Sequence, residues 1–129
     1  MNKKELIGGV AVICKDDKHL LICQSSNKPN AGTWRHPGGK NEPGEPLWQG
    51  IQREIREETG LEIELISDKP VKVLPSEYDS GNFGFFMARI IGGEVNMDEG
   101  EISEYGWFTA EEAKKLNLME ATRKFYDEL

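Results

Sequence analysis

The sequence lacks the features that mark disulfide-rich and membrane-spanning proteins. It has two cysteines in 129 residues, Cys14 and Cys23, and neither lies in a CxxC or a His/Cys ligand pattern. Both sit in apolar runs, which favours free thiols in a reducing compartment over a disulfide or a metal site. No apolar run approaches the roughly 20 residues that a helix needs to span a bilayer. We therefore expect a cytoplasmic protein with no membrane contact.

Positive charge is also scarce. The chain has 16 Lys and Arg against 23 Asp and Glu, a net charge of −7, and no basic stripe runs along it. Proteins that bind nucleic acid broadly need a positive surface, so we expect no extensive nucleic-acid surface. If the substrate is itself an anion, something other than the overall charge of the protein has to attract it.

The chain shows no linker, internal repeat or low-complexity segment. Its length is that of one domain, so we predict a single domain over residues 1–129. The first residues, MNKKELIGGVAVICK, place lysines before an apolar stretch, as a signal peptide does. The stretch is short, contains Glu5 and lacks a small-residue cleavage site, so we predict a strand there.

The periodicity predicts a mixed α/β protein. IGGVAVICK and HLLICQS are separated by the turn DDK, which indicates an antiparallel hairpin. Further strands are predicted at LEIELIS, VKVLP, NFGFFMARIIGGEV and EYGWFT. The segment between the hairpin and the first helix, SNKPNAGTWRHPGGKNEPGEP, is dense in Gly, Pro and Asn and is predicted to be a loop, of a length that is usually either functional or disordered. Strands on both sides of a central helix, plus a terminal helix, predict a sandwich.

Helical patterns occupy two places. From Pro46 to Thr59, apolar residues recur every four positions, and Gly60 suits the left-handed residue that ends a helix. Thr109 with Glu112 three residues later forms a capping box, which predicts a C-terminal helix through Leu116. MEATRKFYDEL predicts a second short helix.

Three glutamates crowd one face of the central helix. Glu54, Glu57 and Glu58 are spaced i, i+3 and i+4, and like charges at these spacings cost about 0.2–0.5 kcal/mol per pair. A solvated surface, softened by Arg53 and Arg56, is one interpretation. A divalent-cation site is the other, because hard cations take oxygen ligands. Such a cation would also supply the positive charge that a phosphate substrate needs.

The residues before the glutamates complete a pattern. From Gly39 the chain reads G, five residues, Glu45, seven residues, then REIREETGL. This array resembles the Nudix signature, G-x5-E-x7-R-E-U-x-E-E-x-G-U with U a bulky aliphatic, at every fixed position over residues 39–61. GTWRHPGG before it and EYGWFTAEEAKKL after it are similar to the usual flanks of that fold. The resemblance implies an α/β fold, a Nudix-type α/β/α sandwich with a mixed β-sheet.

The resemblance implies metal-dependent hydrolysis of a pyrophosphate linkage in a nucleoside diphosphate derivative. By similarity, Glu54, Glu57 and Glu58 would hold Mg²⁺ or Mn²⁺ with the backbone carbonyl of Gly38. Metals on phosphate oxygens neutralise developing charge and lower the pKa of a bound water.

The other motif residues would support this centre. By similarity, Arg53 orients the glutamates and Glu45 braces the loop against the helix. Glu54 is the favoured general base. Some family members use a glutamate from a later loop instead, so Glu101 and Glu104 are alternatives, as base or as added metal ligands. Both are equally well interpreted as ordinary loop charges.

The substrate is less well specified. Arg35 and Lys40 flank the PGG turn and could meet phosphates, or could be solvent-exposed cations. Pro75 and Tyr78 loosely satisfy family cues for two different substrates and therefore decide nothing, although Tyr78 is retained as a candidate substrate contact. His36 is expected to be a solvated loop side chain. Five aromatic residues could stack on a base, and we expect most of them to pack in the core instead: Trp34, Tyr78, Phe83, Phe85 and Phe86.

Three functions follow as hypotheses. The first is hydrolysis of a small nucleotide, either a nucleoside triphosphate or a nucleotide sugar. The second is removal of pyrophosphate from the 5′ end of RNA, against which the acidic balance argues mildly. The third is a nucleotide-sensing module, which would normally lack the glutamates that are all present here. Family members are often dimers, so a homodimer is a further expectation, although no residues specify an interface.

Overall fold

The computed structural model describes residues 6–76 and 80–129, so Tyr78 lies outside the described residues. The strands are β1 Leu6–Lys15, β2 Lys18–Gln24, β3 Trp34–Arg35, β4 Gly38–Lys40, β5 Leu61–Leu65, β6 Lys72–Pro75, β7 Asn82–Gly93 and β8 Ile102–Phe108. The helices are α1 Leu47–Thr59, α2 Ala110–Ala113 and α3 Glu120–Asp127.

The eight strands form one mixed sheet. Its main path runs β3-β2-β1-β7-β5, with β4 paired to β1, β6 to β7 and β8 to β2. β1 and β7 are parallel, from Leu6 opposite Asn82 to Ile13 opposite Ala88. The other pairings are antiparallel, so the predicted mixed sheet is confirmed.

Helices cover both faces of the sheet because side chains alternate along the central strands. On β1, Ala11 and Ile13 pack with Ile51 and Ile55 of α1. Val12, between them in sequence, faces the opposite cluster. That second cluster joins the C-terminal helices to the sheet through Leu21, Leu74, Phe85, Ala113, Leu118, Phe125 and Tyr126. The predicted α/β/α sandwich is therefore confirmed, with α1 on one face and α2 and α3 on the other.

Most predicted elements are present. β1 and β2 form the expected hairpin around Asp16 and Asp17, which both have positive φ. α1 starts one residue later than predicted, with Pro46 as the N-cap, and ends at Gly60 with φ 78°. The capping box of Thr109 and Glu112 is formed, but α2 ends at Ala113, short of the predicted Leu116.

The prediction of an unbroken loop before α1 is wrong. That segment contains β3, which pairs with β2, and β4, which pairs with β1. A Cβ on Gly38 would lie 2.3 Å from the carbonyl oxygen of Gly9, and Gly38 has φ 146°. Glycine is needed there because the two strands approach so closely. The strand forms through this tertiary contact, which a composition rich in Gly and Pro does not reveal.

Within the described residues, no helix is both long enough and apolar enough to cross a membrane.

Candidate active site

Helix α1 carries the three glutamates into very different surroundings. The Glu57 side chain is 60% exposed, that of Glu54 is 23% exposed, and that of Glu58 is 9% exposed. Glu54, Glu57 and Glu58 nevertheless share one side of the helix, since their spacing follows its turn. Solvent exposure therefore increases across the site, from the buried carboxylate of Glu58 to the exposed carboxylate of Glu57.

Arg53 forms hydrogen bonds to three glutamates at the more exposed side of the site. Its Nη1 donates to Glu54 at 3.1 Å and to Glu57 at 3.2 Å. Its Nε and Nη2 donate to both oxygens of Glu45, at 2.7 and 3.0 Å, as a bidentate pair. We call Arg53, Glu45, Glu54 and Glu57 the charged cluster.

The contacts of Glu45 fix its charge and tie the loop to the helix. Hydrogen bonds from Arg53, and one from the backbone N–H of Glu42, lower the pKa of Glu45 to about 2. The same pairing raises the pKa of Arg53. Glu45 thus stays ionised and links the turn before α1 to the middle of that helix, as a bracing residue would.

Glu58 is held from the other side, by the last residue of β3 and the first residue of β4. Arg35 donates from Nη2 to Glu58 Oε2 at 2.8 Å, and the backbone N–H of Gly38 donates to Glu58 Oε1 at 2.9 Å. Both side chains of this ion pair are mostly buried, with Arg35 16% exposed. One buried carboxylate therefore joins α1 to the Arg35–Gly38 segment.

Glu54 lies between these two sets of contacts. A Cβ on Gly39 would meet Glu54 Oε2 at 2.7 Å, so the backbone of the turn packs directly on this carboxylate. Burial raises the pKa of Glu54, and the negative charges of Glu58 and Glu57 raise it further, while Arg53 opposes the shift. Glu54 is thus a carboxylate with increased affinity for a proton or another cation.

The donor set has the right chemistry for a hard divalent cation. All the side-chain donors are carboxylate oxygens, which Mg²⁺ and Mn²⁺ prefer, and the repulsion acting on Glu54 is what a cation would relieve. As the side chains stand, no three acidic, histidine or cysteine groups within residues 6–76 and 80–129 are arranged to hold an ion. The carboxylate oxygens instead accept hydrogen bonds from Arg53 and Arg35.

A cavity of about 240 Å³ opens beside the glycine turn. Its walls come from β1, the end of β2, β3, β4, the end of β6, β7 and the start of α3. Its lining includes polar side chains, two glycines and apolar side chains: Gln24, Arg35, His36, Ser76 and Thr122, then Gly38 and Gly39, then Val10, Pro75, Phe83, Phe85, Met119 and Ala121. Two of these residues, Arg35 and Gly38, also bond to Glu58, which connects the mostly apolar cavity to the glutamates.

This geometry has counterparts among known proteins. Residues 6–129 match the family described as NUDIX domain. The chain belongs to the Nudix family. The family that the motif predicted is confirmed, and the predicted enzyme class, a Nudix pyrophosphohydrolase, agrees with its relatives.

The chain is 33% identical over 104 residues to the 8-oxo-dGDP phosphatase NUDT18 of Mus musculus, a match that covers 77% of this chain and 31% of that protein. It is 30% identical over 128 residues to the nucleoside triphosphatase NudI of Enterobacter sp. (strain 638), covering 88% of this chain and 89% of NudI. The chain thus spans under a third of NUDT18 but nearly all of NudI. The crystal structure of a MutT NUDIX hydrolase from Burkholderia pseudomallei is 27% identical, with a TM-score of 0.80 and coverage of 98% and 99%.

His36, which immediately precedes the PGG turn of the Nudix chain, is fully buried, so the prediction of a solvated side chain is wrong. Its Nε2 lies 3.0 Å from the hydroxyl of Tyr126, which lies 2.8 Å from Nδ1 of His19. Burial lowers the pKa of His36 to about 3, helped by the charges of His19 and Arg35, so the ring is neutral. We call His19, Tyr126 and His36 the histidine network.

The hydrogen bonds of the histidine network select a tautomer. Nδ1 of His36 is buried and has no hydrogen-bond partner among residues 6–76 and 80–129. A bare lone pair is easier to bury than an N–H with no acceptor, which places the proton of His36 on Nε2. Nε2–H then donates to the Tyr126 oxygen, and the Tyr126 hydroxyl donates to His19. The turn is thereby fastened to α3 by uncharged groups.

The other predicted site residues are dispersed. Lys40 is exposed at the end of β4. Glu101 pairs with Lys28 at 3.0 Å, and Glu104 is an exposed residue of β8 opposite Cys23. Among the hydrogen bonds and ion pairs of the described residues, neither glutamate contacts Glu54, Glu57 or Glu58. As placed, Glu101 and Glu104 form part of no carboxylate cluster with the motif.

The prediction that Arg35 is either a phosphate ligand or an exposed cation left out its actual contact, the ion pair with Glu58. Sequence reasoning also missed Gln24, whose Oε1 accepts from Arg35 Nε at 3.0 Å and which lines the cavity. Thr122 and Met119 of the cavity were missed as well. These residues are far from the motif in sequence and form no recognisable pattern with it, so only the fold brings them to the site.

Proposed function

We propose that this protein hydrolyses a pyrophosphate linkage in a free nucleotide, with Mg²⁺ or Mn²⁺ bound at the Nudix motif. One observation supports this most directly. Glu54 and Glu58 contact the glycine turn, Glu57 lies on the same side of α1, and Gly38 and Gly39 of that turn line a cavity whose walls are mostly apolar. The nucleoside triphosphatase activity in the name of NudI, a relative over nearly its whole length, supports a nucleoside triphosphate as substrate.

In this proposal the residues have separate roles. Glu54, Glu57 and Glu58 would hold the metal, with the carbonyl of Gly38 as a further ligand. Mg²⁺ or Mn²⁺ held there would supply positive charge to the phosphates and acidify water.

Arg53 and Glu45 position these ligands, because their bidentate pair ties the turn to α1. Glu54 accepts the proton of the attacking water, since burial and neighbouring carboxylates raise its proton affinity. Gly39 of the turn packs on Glu54, whose side chain is 23% exposed.

The cavity supports binding of the nucleoside. Pockets that enclose a drug-sized ligand have volumes of about 300–1,000 Å³, and this one is about 240 Å³. It therefore suits part of a nucleotide, with the base in the apolar recess formed by Val10, Phe83 and Phe85. The phosphates then extend past Arg35 towards the glutamates. A nucleoside triphosphate and a nucleotide sugar both satisfy this arrangement.

Removal of pyrophosphate from RNA is the second candidate, and the charge balance disfavours it. Binding of a polynucleotide needs several cationic contacts, whereas the chain has a net charge of −7. A sensing module is disfavoured because every glutamate of the motif is present.

The test is Glu57→Gln, which removes one charge and little volume. Because Glu57 is 60% exposed, the fold should be kept while turnover with Mg²⁺ falls at least about 100-fold. Glu62→Gln is the matched control, since Glu62 is an exposed carboxylate that pairs with Arg56, and it should keep full activity. Near-normal turnover by Glu57→Gln would contradict the proposed site.

The substrate is tested with a panel of nucleotides in ¹⁸O-labelled water, with products followed by phosphorus NMR. Release of pyrophosphate or phosphate from triphosphates supports a triphosphatase. Formation of a nucleoside monophosphate and a sugar phosphate supports hydrolysis of nucleotide sugars. The position of ¹⁸O identifies the phosphorus atom that is attacked. Binding without cleavage of any compound would favour the sensing module.

A further inference from the structure

We propose that Arg35 exchanges partners: it holds Glu58 while the site has no metal, and it turns to a substrate phosphate once a divalent cation takes Glu58. This inference rests on the proposed function. In this role Arg35 couples metal binding to nucleotide binding, because it contacts Glu58 in one state and a substrate phosphate in the other.

The first step is the present partner of Arg35. Its Nη2 lies 2.8 Å from Glu58 Oε2, and the two side chains are only 16% and 9% exposed. A divalent cation and a guanidinium compete for the same carboxylate oxygen, because two cations held at one atom repel each other. The mostly buried ion pair is strong enough to compete, since little water screens it. We therefore expect metal binding at Glu58 to displace Arg35.

The second step is that Glu58 remains in place when Arg35 leaves. Its other oxygen, Oε1, accepts from the backbone N–H of Gly38 at 2.9 Å. This bond comes from β4, which is fixed by pairing with β1. Release of Arg35 thus frees one carboxylate oxygen of Glu58 without loss of the contact that orients the side chain.

The third step is that Arg35 stays beside the cavity. Its Nε donates to Gln24 Oε1 at 3.0 Å, and its Nη1 donates to the carbonyl oxygen of His36 at 3.1 Å. Only Nη2 bonds to Glu58, so losing that bond leaves two anchors. Both Gln24 and Arg35 line the cavity, and a guanidinium there presents its fork to a phosphate. The guanidinium of Arg35, once it has left Glu58, needs another anionic partner, and the phosphates of the substrate supply it.

Removal of Arg35 is expected to change the affinities for Mn²⁺ and for the nucleotide in opposite directions. Arg35→Gln removes the competing cation, so Mn²⁺ should bind about fivefold tighter or better in the absence of nucleotide. The same change removes the phosphate partner. The Mn²⁺-loaded variant should therefore bind ADP with a methylene-bridged diphosphate, which cannot be hydrolysed at that bond, about fivefold more weakly or worse. General damage to the site would weaken both.

The experiment titrates the whole chain with Mn²⁺, follows the free ion by electron paramagnetic resonance, and measures binding of the ADP analogue by calorimetry. Arg56→Gln is the control, because it removes the same charge from a side chain that is 52% exposed and pairs with Glu62; both affinities should stay at the wild-type values. If Arg35→Gln does not fold, as judged by circular dichroism, Arg35→Lys replaces it. A lysine lacks the fork that reaches Gln24, His36 and Glu58 together, so the same two opposite shifts are expected at smaller size.

The outcomes separate this inference from the proposed function. Mn²⁺ affinity that is unchanged or weaker in the Arg35 variant, with normal binding to the wild type, overturns the exchange alone. Tighter Mn²⁺ binding with unchanged affinity for the ADP analogue also overturns it. Failure of the wild type and the variant to bind Mn²⁺ overturns the proposed metal site, and this inference with it.

Discussion

Residues 35 and 36 are neighbours in sequence but reach into two polar regions on opposite faces of the sheet. Arg35 extends to Glu58 on α1, which also carries most of the charged cluster. His36 extends to Tyr126 on α3, in the histidine network. In the first region every group is an ion with an ionic partner. In the second, no group is charged at neutral pH.

The difference follows from access to counter-ions and water. The charged cluster lies at an edge, where Arg53 is 21% exposed and Glu57 is more than half exposed. A cation can therefore be exchanged there. His36 and Tyr126 are fully buried, where an unpaired charge is too costly and the groups stay neutral. The charged cluster is suited to binding, and the histidine network to holding the turn in place.

The largest expected effect removes the cation from the charged cluster. Arg53→Gln leaves Glu45, Glu54 and Glu57 without their shared partner. Exposed ion pairs contribute up to about 1 kcal/mol and breaking a buried pair costs about 3–5 kcal/mol. The ion pairs of Arg53 are partly buried and lie between these two cases. We therefore expect Arg53→Gln to lower the free energy of unfolding by about 2–3 kcal/mol, measured by urea denaturation without divalent ions.

Addition of Mg²⁺ should recover part of the stability lost in Arg53→Gln, because the ion replaces the missing positive charge. Arg56→Gln serves as the control, since its exposed pair should contribute less than about 1 kcal/mol. Equal loss of stability in both variants would remove the distinction between the cluster and ordinary surface charge.

The second prediction concerns the histidine network and pH. The pKa of His36 is lowered from 6.5 to about 3, so between these values the unfolded chain binds a proton that the folded chain does not. Stability from neutral His36 is present above pH 6.5 and is lost as the pH falls. Between pH 7.5 and 5 the loss is about 2 kcal/mol, from 1.36 kcal/mol per pKa unit.

His36→Phe should reduce this pH dependence by the same amount, whatever its effect on stability at pH 7.5. The measurement is the free energy of unfolding at both pH values for the variant and the wild type. His19, which is partly exposed, has a pKa lowered by burial in the same direction, so His19→Phe is the matched comparison with a smaller effect. An unchanged pH dependence in His36→Phe would show that the ring is not neutral and buried.

The smallest prediction concerns how tightly the loop packs on α1. A Cβ on Gly50 would lie 2.2 Å from Asn41 Oδ1 and 2.8 Å from Glu45 Oε1. Asn41 cannot move freely, because its Nδ2 donates to the carbonyl oxygen of Glu45 at 2.7 Å. The helix gains up to about 1 kcal/mol from alanine, but overpacking costs about 1–3 kcal/mol. Gly50→Ala should therefore destabilise the protein by about 1 kcal/mol in thermal unfolding.

A double-mutant cycle sharpens this result. In an Asn41→Ala background the main obstacle is gone, so Gly50→Ala should lose most of its cost or become stabilising. Additive effects of the two substitutions would show that Gly50 is not required for the contact with Asn41.

The charged cluster was predictable, because Glu45, Arg53, Glu54 and Glu57 lie within one short motif. Helical geometry places such residues on a common face, and the loop before the helix brings Glu45 back to it. The histidine network was not predictable, and His36 was assigned to solvent. Its three members come from β2, from the segment between β3 and β4, and from α3, which are separated by up to 107 residues.

The order of the longer strands and helices, the end of α1 and the family were determined by the sequence alone, because each depends on local periodicity, capping or a contiguous pattern. Tertiary structure alone decided that β3 and β4 form, which cation Glu58 meets and which ring is kept neutral. Arg35 pairs with a residue 23 positions away, and His36 with one 90 positions away. The ionisation and partners of such groups depend on desolvation and on neighbours from other strands, and those exist only once the sheet has formed.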